Sequence, residues 1–475
     1  MTGRTPCRIL ELSVAITLVA LPLLAQADVA PSMPERIEAY VKAEMTRQKI
    51  PGLAVAVVKD GKVVVAKGYG LSNVEHLVPV TPETVFQSGS LGKMFTAAAV
   101  MLLVEDGKLS LADSITRFYP DAPWRWRGIT VRHLLSHTSG IPDYEDTTLD
   151  FRKDYTEEEL ARIAFGMKLE FEPGSRWSYS NTGYVLLGGI IRKASGRFYG
   201  DVLRERVFDP LGMGSATVIS EENIVANRSA GYSRTKGELR NQEWVSPSLN
   251  TTADGGLYLS ILDYLAWEAG IRTRKVLKPA SWDAVFTPVK LQSGNTYPYG
   301  FGWSVDNFSG QRRQHHGGAW QGFQTYFSRH LGEDLTVIVL TNLSPSDPRE
   351  IANGIAALFN PRLATPNEPI ADREPAVTER ARRILAVARE GKLTQAEFAY
   401  VRAGFFPGAA KAYEEMLKRA GELRQLDLLG VYVMGDDRVH RYRALFEKGT
   451  FKITLGLAPD EKVSAFAVQK IDPAQ

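Results

Sequence analysis

A serine hydroxyl is a useful nucleophile only when a neighbouring base takes its proton. A lysine three residues later can be that base if the serine opens a helix, because positions i and i+3 share a face. Burial and the positive end of the helix both favour the neutral amine. The chain contains two Ser-x-x-Lys matches worth weighing. Ser233-Arg234-Thr235-Lys236 lies among polar residues with no apolar run behind it and reads as a surface loop. Ser90-Leu91-Gly92-Lys93 opens the most apolar helical run of the chain beyond its first 27 residues, through Phe95 and on to Leu103. A lysine inside such a run needs a partner if it is buried. Gly89 and Gly92 leave room for backbone to approach a ligand. Ser90 and Lys93 are the expected nucleophile and base.

Phe86-Gln87-Ser88-Gly89-Ser90-Leu91-Gly92-Lys93 resembles the active-serine segment of the serine β-lactamase and penicillin-binding-protein superfamily. Tyr179-Ser180-Asn181 is similar to the Y-x-N element of class C β-lactamases, their D,D-peptidase relatives and related esterases. The third element resembles His316-Gly317-Gly318, followed by Ala319-Trp320-Gln321-Gly322-Phe323. Leu134-Leu135-Ser136-His137-Thr138-Ser139-Gly140, Pro210-Leu211-Gly212-Met213 and Tyr299-Gly300-Phe301-Gly302-Trp303 extend the resemblance over residues 34–358.

The resemblance implies an α+β, β-lactamase/transpeptidase-like fold: an antiparallel sheet flanked by helices, plus an all-helical lobe. It also implies roles. Ser90 attacks a carbonyl; Lys93 and Tyr179 share the proton; Asn181 binds Lys93 and the substrate. The backbone N–H groups of Ser90 and Ala319, beside Gly318, form the oxyanion hole. His316 stands where β-lactamases present a lysine, and an unperturbed imidazole is mostly neutral at pH 7. Efficient penicillin hydrolysis is therefore not expected of this chain. His316 could hydrogen-bond Tyr179 or the substrate. The expected activity is cleavage of an ester or amide through an acyl-enzyme, on an esterase, D-amino-acid peptidase or β-lactam-type substrate. A penicillin- or peptidoglycan-binding sensor with little turnover and an acyltransferase are the alternatives. No cofactor is required.

These residues need a scaffold. Residues 33–47 have helical periodicity. Residues 53–58 and 63–68 are β-rich and joined by Lys59-Asp60-Gly61-Lys62, a hairpin signal. Strands return at 323–329 and 335–340, followed by a helix over 349–359. A sheet recruiting both ends of residues 28–360, with helices between, makes an α+β domain. Pro361, Pro366, Pro369 and Pro375 mark a linker over 361–377. Residues 378–475 read as a small α+β accessory domain, with helices over 378–391, 394–403 and 408–423 before four short strands within 426–468. Thr394 and Glu397 supply a capping box for the second helix.

The remaining signals bound the setting. Arg4 and Arg8, an apolar run over 12–24 and Ala25-Gln26-Ala27 read as a cleaved signal peptide over 1–27, placing the mature protein in the periplasm or medium with no membrane span. The only cysteine, Cys7, falls inside that signal, which excludes disulfides and thiol chemistry from the mature chain. A formal net charge of +3 with no basic cluster gives no nucleic-acid partner, only a small-molecule or peptide substrate. His133 and His137 sit four apart, and His315 adjoins His316, but neither pair comes with the ligands a metal site needs. Tyr144, Trp177 and Trp320 could line a cleft, shaped in part by residues 143–154. The sequence leaves the oligomeric state open.

Overall fold

The computed structural model describes residues 1–3, 31–146, 149–402 and 404–471. All but the first three residues of the signal segment lie outside these, Cys7 among them. No helix among the described residues is long and apolar enough to cross a membrane.

Strands β1 (Gly52–Lys59) and β2 (Lys62–Asn73) form the expected hairpin, with Asp60 and Gly61 both at positive φ in the turn. They belong to a seven-stranded antiparallel sheet with β3 (Val78–Pro79), β4 (Ser304–Phe308), β5 (Gln311–Trp320), β6 (Phe323–His330) and β7 (Leu335–Thr341). The order is β4-β5-β6-β7-β1-β2-β3, so the first and last strands of this unit meet at β1–β7, where Val55 faces Val339.

Strand β1 is apolar at nearly every position because both faces are covered. Alternation sends Leu53, Val55 and Val57 to one core, with Val337 and Val339. That core is closed by Ile37 and Val41 of α1 (Met33–Gln48) and by Ile351 and Ile355 of a helix over Pro348–Phe359. Ala54 and Ala56 face the other core, shared with α2 (Gly92–Glu105) and α3 (Asn181–Ser195) of the helical lobe. Residues 92–103 of α2 are buried all round, which marks it as the central helix of that lobe.

Helices over Pro375–Arg389 and Ala410–Ala420 precede a four-stranded antiparallel meander: Leu423–Met434, Asp437–Phe446, Gly449–Leu457 and Val463–Ile471. This C-terminal unit has its own core, including Leu385, Leu417, Tyr442 and Ile453.

Two local expectations fail. The helix over 394–403 is absent. Thr394 and Glu397 do form a reciprocal capping box, but it caps a single 3₁₀ turn, Gln395–Glu397. Phe398 is then extended (φ −102°, ψ 136°), held by bridge pairing with Val463 and by ring packing on Phe405 and Phe406. Tertiary pairing overrides the local helix signal. Ser233-Arg234-Thr235-Lys236 is not a loop. It forms a strand, Tyr232–Thr235, that pairs with Glu238–Asn241 across a turn with Lys236 at φ 53°.

Candidate active site

The chain enters α2 through a 3₁₀ turn, Gly89–Leu91, that lifts Ser90 to the surface of a cleft while Lys93, one turn on, is fully buried. The i, i+3 relation brings Lys93 Nζ to 3.0 Å from Ser90 Oγ. The amine also donates to Asn181 Oδ1 and to the Asp254 carbonyl, each at 2.6 Å. Burial lowers its pKa to about 8, against the opposing pull of Asp254, Asp143 and Glu145. About a tenth of the amine is then neutral at pH 7.

Strand β5 runs directly against this turn. Gly89 has φ +50°, and a Cβ there would fall 2.5 Å from Ala319 N. A Cβ on Gly318 would fall 2.1 Å from the Ser88 carbonyl oxygen. Two glycines thus let the Ala319 backbone approach the Ser90 turn. Thr325, opposite Gly318 on β6, locks the contact by donating to the Ser88 carbonyl at 2.8 Å.

The Tyr179-Ser180-Asn181 element ends at the start of α3. Ser180 caps the helix by accepting from the Gly183 N–H, which leaves Asn181 as its first residue, facing Lys93. Asn181 donates from its backbone N–H to Asp143 Oδ2 at 3.3 Å, and from Nδ2 to both Asp143 oxygens at 3.2–3.3 Å and to Glu145 Oε1 at 3.2 Å. Tyr179 stacks over Lys93, with Nζ 4.9 Å from the ring centroid. Burial holds its phenol well above the ordinary range, partly offset by the adjacent Ser90 side chain, so the hydroxyl keeps its proton. That hydroxyl is buried and makes no well-formed hydrogen bond with the described residues.

His316 sits on β5, and its hydrogen bonds go to Tyr299 and Gly317, not to Tyr179, whose ring centroid lies 6.2 Å away. The tautomers are set by the network. Ser180 N–H donates to His137 Nδ1 at 3.1 Å, so the proton of a neutral His137 is on Nε2, which reaches the Tyr299 hydroxyl at 3.2 Å. Tyr299 then donates to His316 Nε2 at 2.9 Å, and His316 Nδ1–H donates to the Gly317 carbonyl at 2.6 Å. Burial, then the nearby Lys93, lowers His316 to about 3, and His137 is also held well below its ordinary value. Both imidazoles are neutral, and the third element carries no cation. The expected residues Ser90, Lys93, Tyr179, Asn181, Gly318 and Ala319 therefore meet at one place, with His316 joined to it through Tyr299 and His137.

A family model described as Beta-lactamase matches residues 37–359, more than half of the sequence. The chain belongs to the β-lactamase family. It is 32% identical over 344 residues to penicillin-binding protein 4* of Bacillus subtilis (strain 168), covering 68% of this chain and 76% of that protein. To the D-aminopeptidase of Gluconobacter oxydans (strain 621H) it is 31% identical over 346 residues, covering 71% of this chain but only 64% of that protein. The octameric penicillin-binding protein homologue from Pyrococcus abyssi has a similar structure, with TM-score 0.62 at 30% identity over 88% of this chain and 90% of that one. This β-lactamase family member is a serine hydrolase with a β-lactamase/transpeptidase-like fold.

The structure adds Glu145 and Asp254, which sequence reasoning did not assign, and places Tyr144 in the cleft as expected. A cleft of about 290 Å³ at Ser90 is lined by Tyr144, Glu145, Asn181, Asp254, Ala319 and Trp320, among others. Asp254 is 7% exposed; its Oδ2 accepts from the Tyr144 hydroxyl at 2.7 Å, and its Oδ1 has no hydrogen-bond partner among the described residues. Glu145 keeps surface open to solvent, yet partial burial and then the carboxylates of Asp143 and Asp254 push it up to about 7. Trp320 lines the cleft as expected, donating to Asn250 Oδ1 at 2.7 Å. Trp177 stacks instead on Tyr297, with ring centroids 4.2 Å apart. Of the metal-spaced histidines, His137 belongs to the relay, while His133 Nδ1 accepts from the Thr130 N–H at the start of its own helix. The one sequence signal for the acidic wall was the Asp143-Tyr144-Glu145 run, which opens the stretch expected to shape the cleft.

Proposed function

We propose that this hydrolase cleaves amides and short peptides whose acyl residue is a D-amino acid with a free amino group. The observation that carries this reading is the charge of the cleft. Its wall presents Glu145 and Asp254, the latter with a buried unpaired oxygen, which suits an ammonium group. Among the described residues a substrate carboxylate would find no free cation there. Lys93 is engaged by Asn181 and the Asp254 carbonyl, Arg402 by Asp143, and His316 is neutral. The D-configuration rests on the relative named D-aminopeptidase.

In this reading, Ser90 Oγ attacks the amide carbon as its proton passes to neutral Lys93. The N–H groups of Ser90 and Ala319 stabilise the oxyanion. Collapse breaks the C–N bond; Tyr179 donates its proton to the leaving nitrogen and recovers one from the Lys93 ammonium. Water, deprotonated by the same lysine, then attacks the ester carbon; the Ser90 Oγ–C bond breaks, Oγ takes the proton back from the Lys93 ammonium, and the D-amino acid leaves. Asn181 orients Lys93 throughout. Gly318 sets the approach of Ala319, and His316 braces β5 through Tyr299.

Export belongs to the same proposal, supported by Arg4, Arg8 and the Ala25-Gln26-Ala27 site. So does the division into a hydrolase unit over 28–360, a linker over 361–377 and an accessory unit over 378–475. The test compares kcat/KM for D-alanine p-nitroanilide with its N-acetyl and L counterparts. A charge-assisted contact to the ammonium should favour the free amine by roughly 10- to 100-fold. Equal or faster cleavage of the N-acetyl compound would overturn the aminopeptidase reading.

A further inference from the structure

We propose that Arg402 and Tyr400, carried by the C-terminal unit, are positioning residues for the Tyr179-Ser180-Asn181 element of the hydrolase site. The inference rests on the reading of Ser90 as the nucleophile. It starts from the stretch where the expected helix is missing. Phe398 is extended and bridges Val463, the chain bends at Ala399, whose N–H donates to the Val463 carbonyl at 2.9 Å, and residues 400–402 follow without helix. Beyond that bend Tyr400 and Arg402 both reach the hydrolase unit.

Arg402 Nη2 lies 3.0 Å from Asp143 Oδ2. The pair is buried on one side only: the Arg402 side chain is 41% exposed, but Asp143 is 1% exposed, unlike an ordinary surface pair in which both partners are solvated. Burial raises the Asp143 pKa, and the Arg402 guanidinium is the largest influence opposing that rise, since a buried carboxylate without a cation is strongly disfavoured. Asp143 in turn accepts both N–H groups of Asn181, whose Oδ1 holds Lys93, which bonds Ser90. An unbroken run of contacts thus joins the C-terminal unit to the nucleophile. Losing the cation would let Asp143 take a proton or turn away. Either way Asn181 loses the charged acceptor that orients it.

Tyr400 grips the same element from its other end. Its hydroxyl bonds Ser178 Oγ at 2.8 Å, one residue before Tyr179, and Glu170 Oε2 at 2.5 Å. The Arg176 guanidinium lies 5.6 Å from the Tyr400 ring centroid and pairs with Asp437 at 3.1 Å. Asp436 accepts from Ser293 and Asn295 at 2.6 Å each, steadying the strand turn that carries Asp437. The stretch leading into Tyr179 is therefore held between two parts of the C-terminal unit.

The test uses the full-length chain. Arg402→Ala, Arg402→Gln, Arg402→Lys and Tyr400→Phe are compared with wild type by the rate of Ser90 acylation with a small fluorophosphonate, by kcat and KM for D-alanine p-nitroanilide, and by the thermal midpoint. Arg402→Ala and Arg402→Gln should slow acylation and kcat together by roughly 10- to 100-fold, up to the cost of a misplacement of about 1 Å. KM should change little, Arg402→Lys should recover most of the rate, and Tyr400→Phe should have a smaller effect. Gln keeps the reading decisive if the Ala variant fails to fold. Acylation of the Gln variant within about threefold of wild type, or an equal loss in the Lys variant, would overturn the proposal. The fluorophosphonate reports on Ser90 whatever the natural substrate. Absence of amide turnover in wild type would thus count against the D-amino amide reading and not against the role of Arg402.

Discussion

Replacing Lys93 with Met should abolish function while leaving the fold nearly as stable as before. Methionine fills the space of the lysine stem but removes the amine. Loss of a general base costs about 10²- to 10⁴-fold in kcat/KM. Stability is a balance of two effects. The amine falls from 10.5 to about 8 on burial. At about 1.4 kcal/mol per pH unit, the native state gives up about 3 kcal/mol at neutral pH to hold it. Removing it relieves that strain but leaves the Asn181 Oδ1 and Asp254 carbonyl acceptors without their donor, at about 1–3 kcal/mol each. The two effects nearly cancel at pH 7. The sign of the pH dependence then discriminates. The unfolded state binds more protons than the native state between pH 8 and 10.5, so wild type gains stability as pH rises through that window, and the variant does not. Urea unfolding of both proteins should show the gap moving in favour of wild type by about 2–3 kcal/mol from pH 7 to pH 10. A gap that stays flat, or a variant retaining more than about a tenth of wild-type kcat/KM, would refute Lys93 as a buried, depressed base.

The same geometry sets two further outcomes. The kcat/KM profile should rise with pH through an acid limb near 8, because the base must be neutral; a limb below 6 would point to another group. Gly318→Ala places a methyl 2.1 Å from the Ser88 carbonyl, so β5 must retreat from the nucleophile turn. Fluorophosphonate labelling should then fall by at least roughly 100-fold, as expected for a displaced oxyanion donor, whereas wild-type labelling would show that the close approach is not needed.

Much of the scaffold is legible because it obeys short-range rules. Asp60-Gly61 specifies its own turn, and the uninterrupted apolar run of β1 announces a strand covered on both faces. Ser90 and Lys93 meet because i, i+3 on a helix leaves little choice. The acidic wall is another matter. Asp254 lies 161 positions from Lys93 and Arg402 lies 259 from Asp143, and no local pattern brings such pairs together. The state of His316 is equally hidden, since burial and Lys93, not residue type, lower it to about 3. The capping box at Thr394 shows the opposite hazard. The local signal is real, yet pairing with Val463 ends the helix at Phe398, and the non-helical stretch that follows carries Arg402 to the site.

The central claim is an acyl-enzyme on Ser90 formed from a D-amino acid amide. Rapid acid quench during turnover of D-alanine p-nitroanilide, followed by intact-mass measurement and peptide mapping, tests it directly. The account expects a D-alanyl adduct on the peptide containing Ser90, absent from Ser90→Ala, which should also lose turnover. Turnover that persists in Ser90→Ala, or that proceeds in wild type with the adduct on another residue, would contradict it.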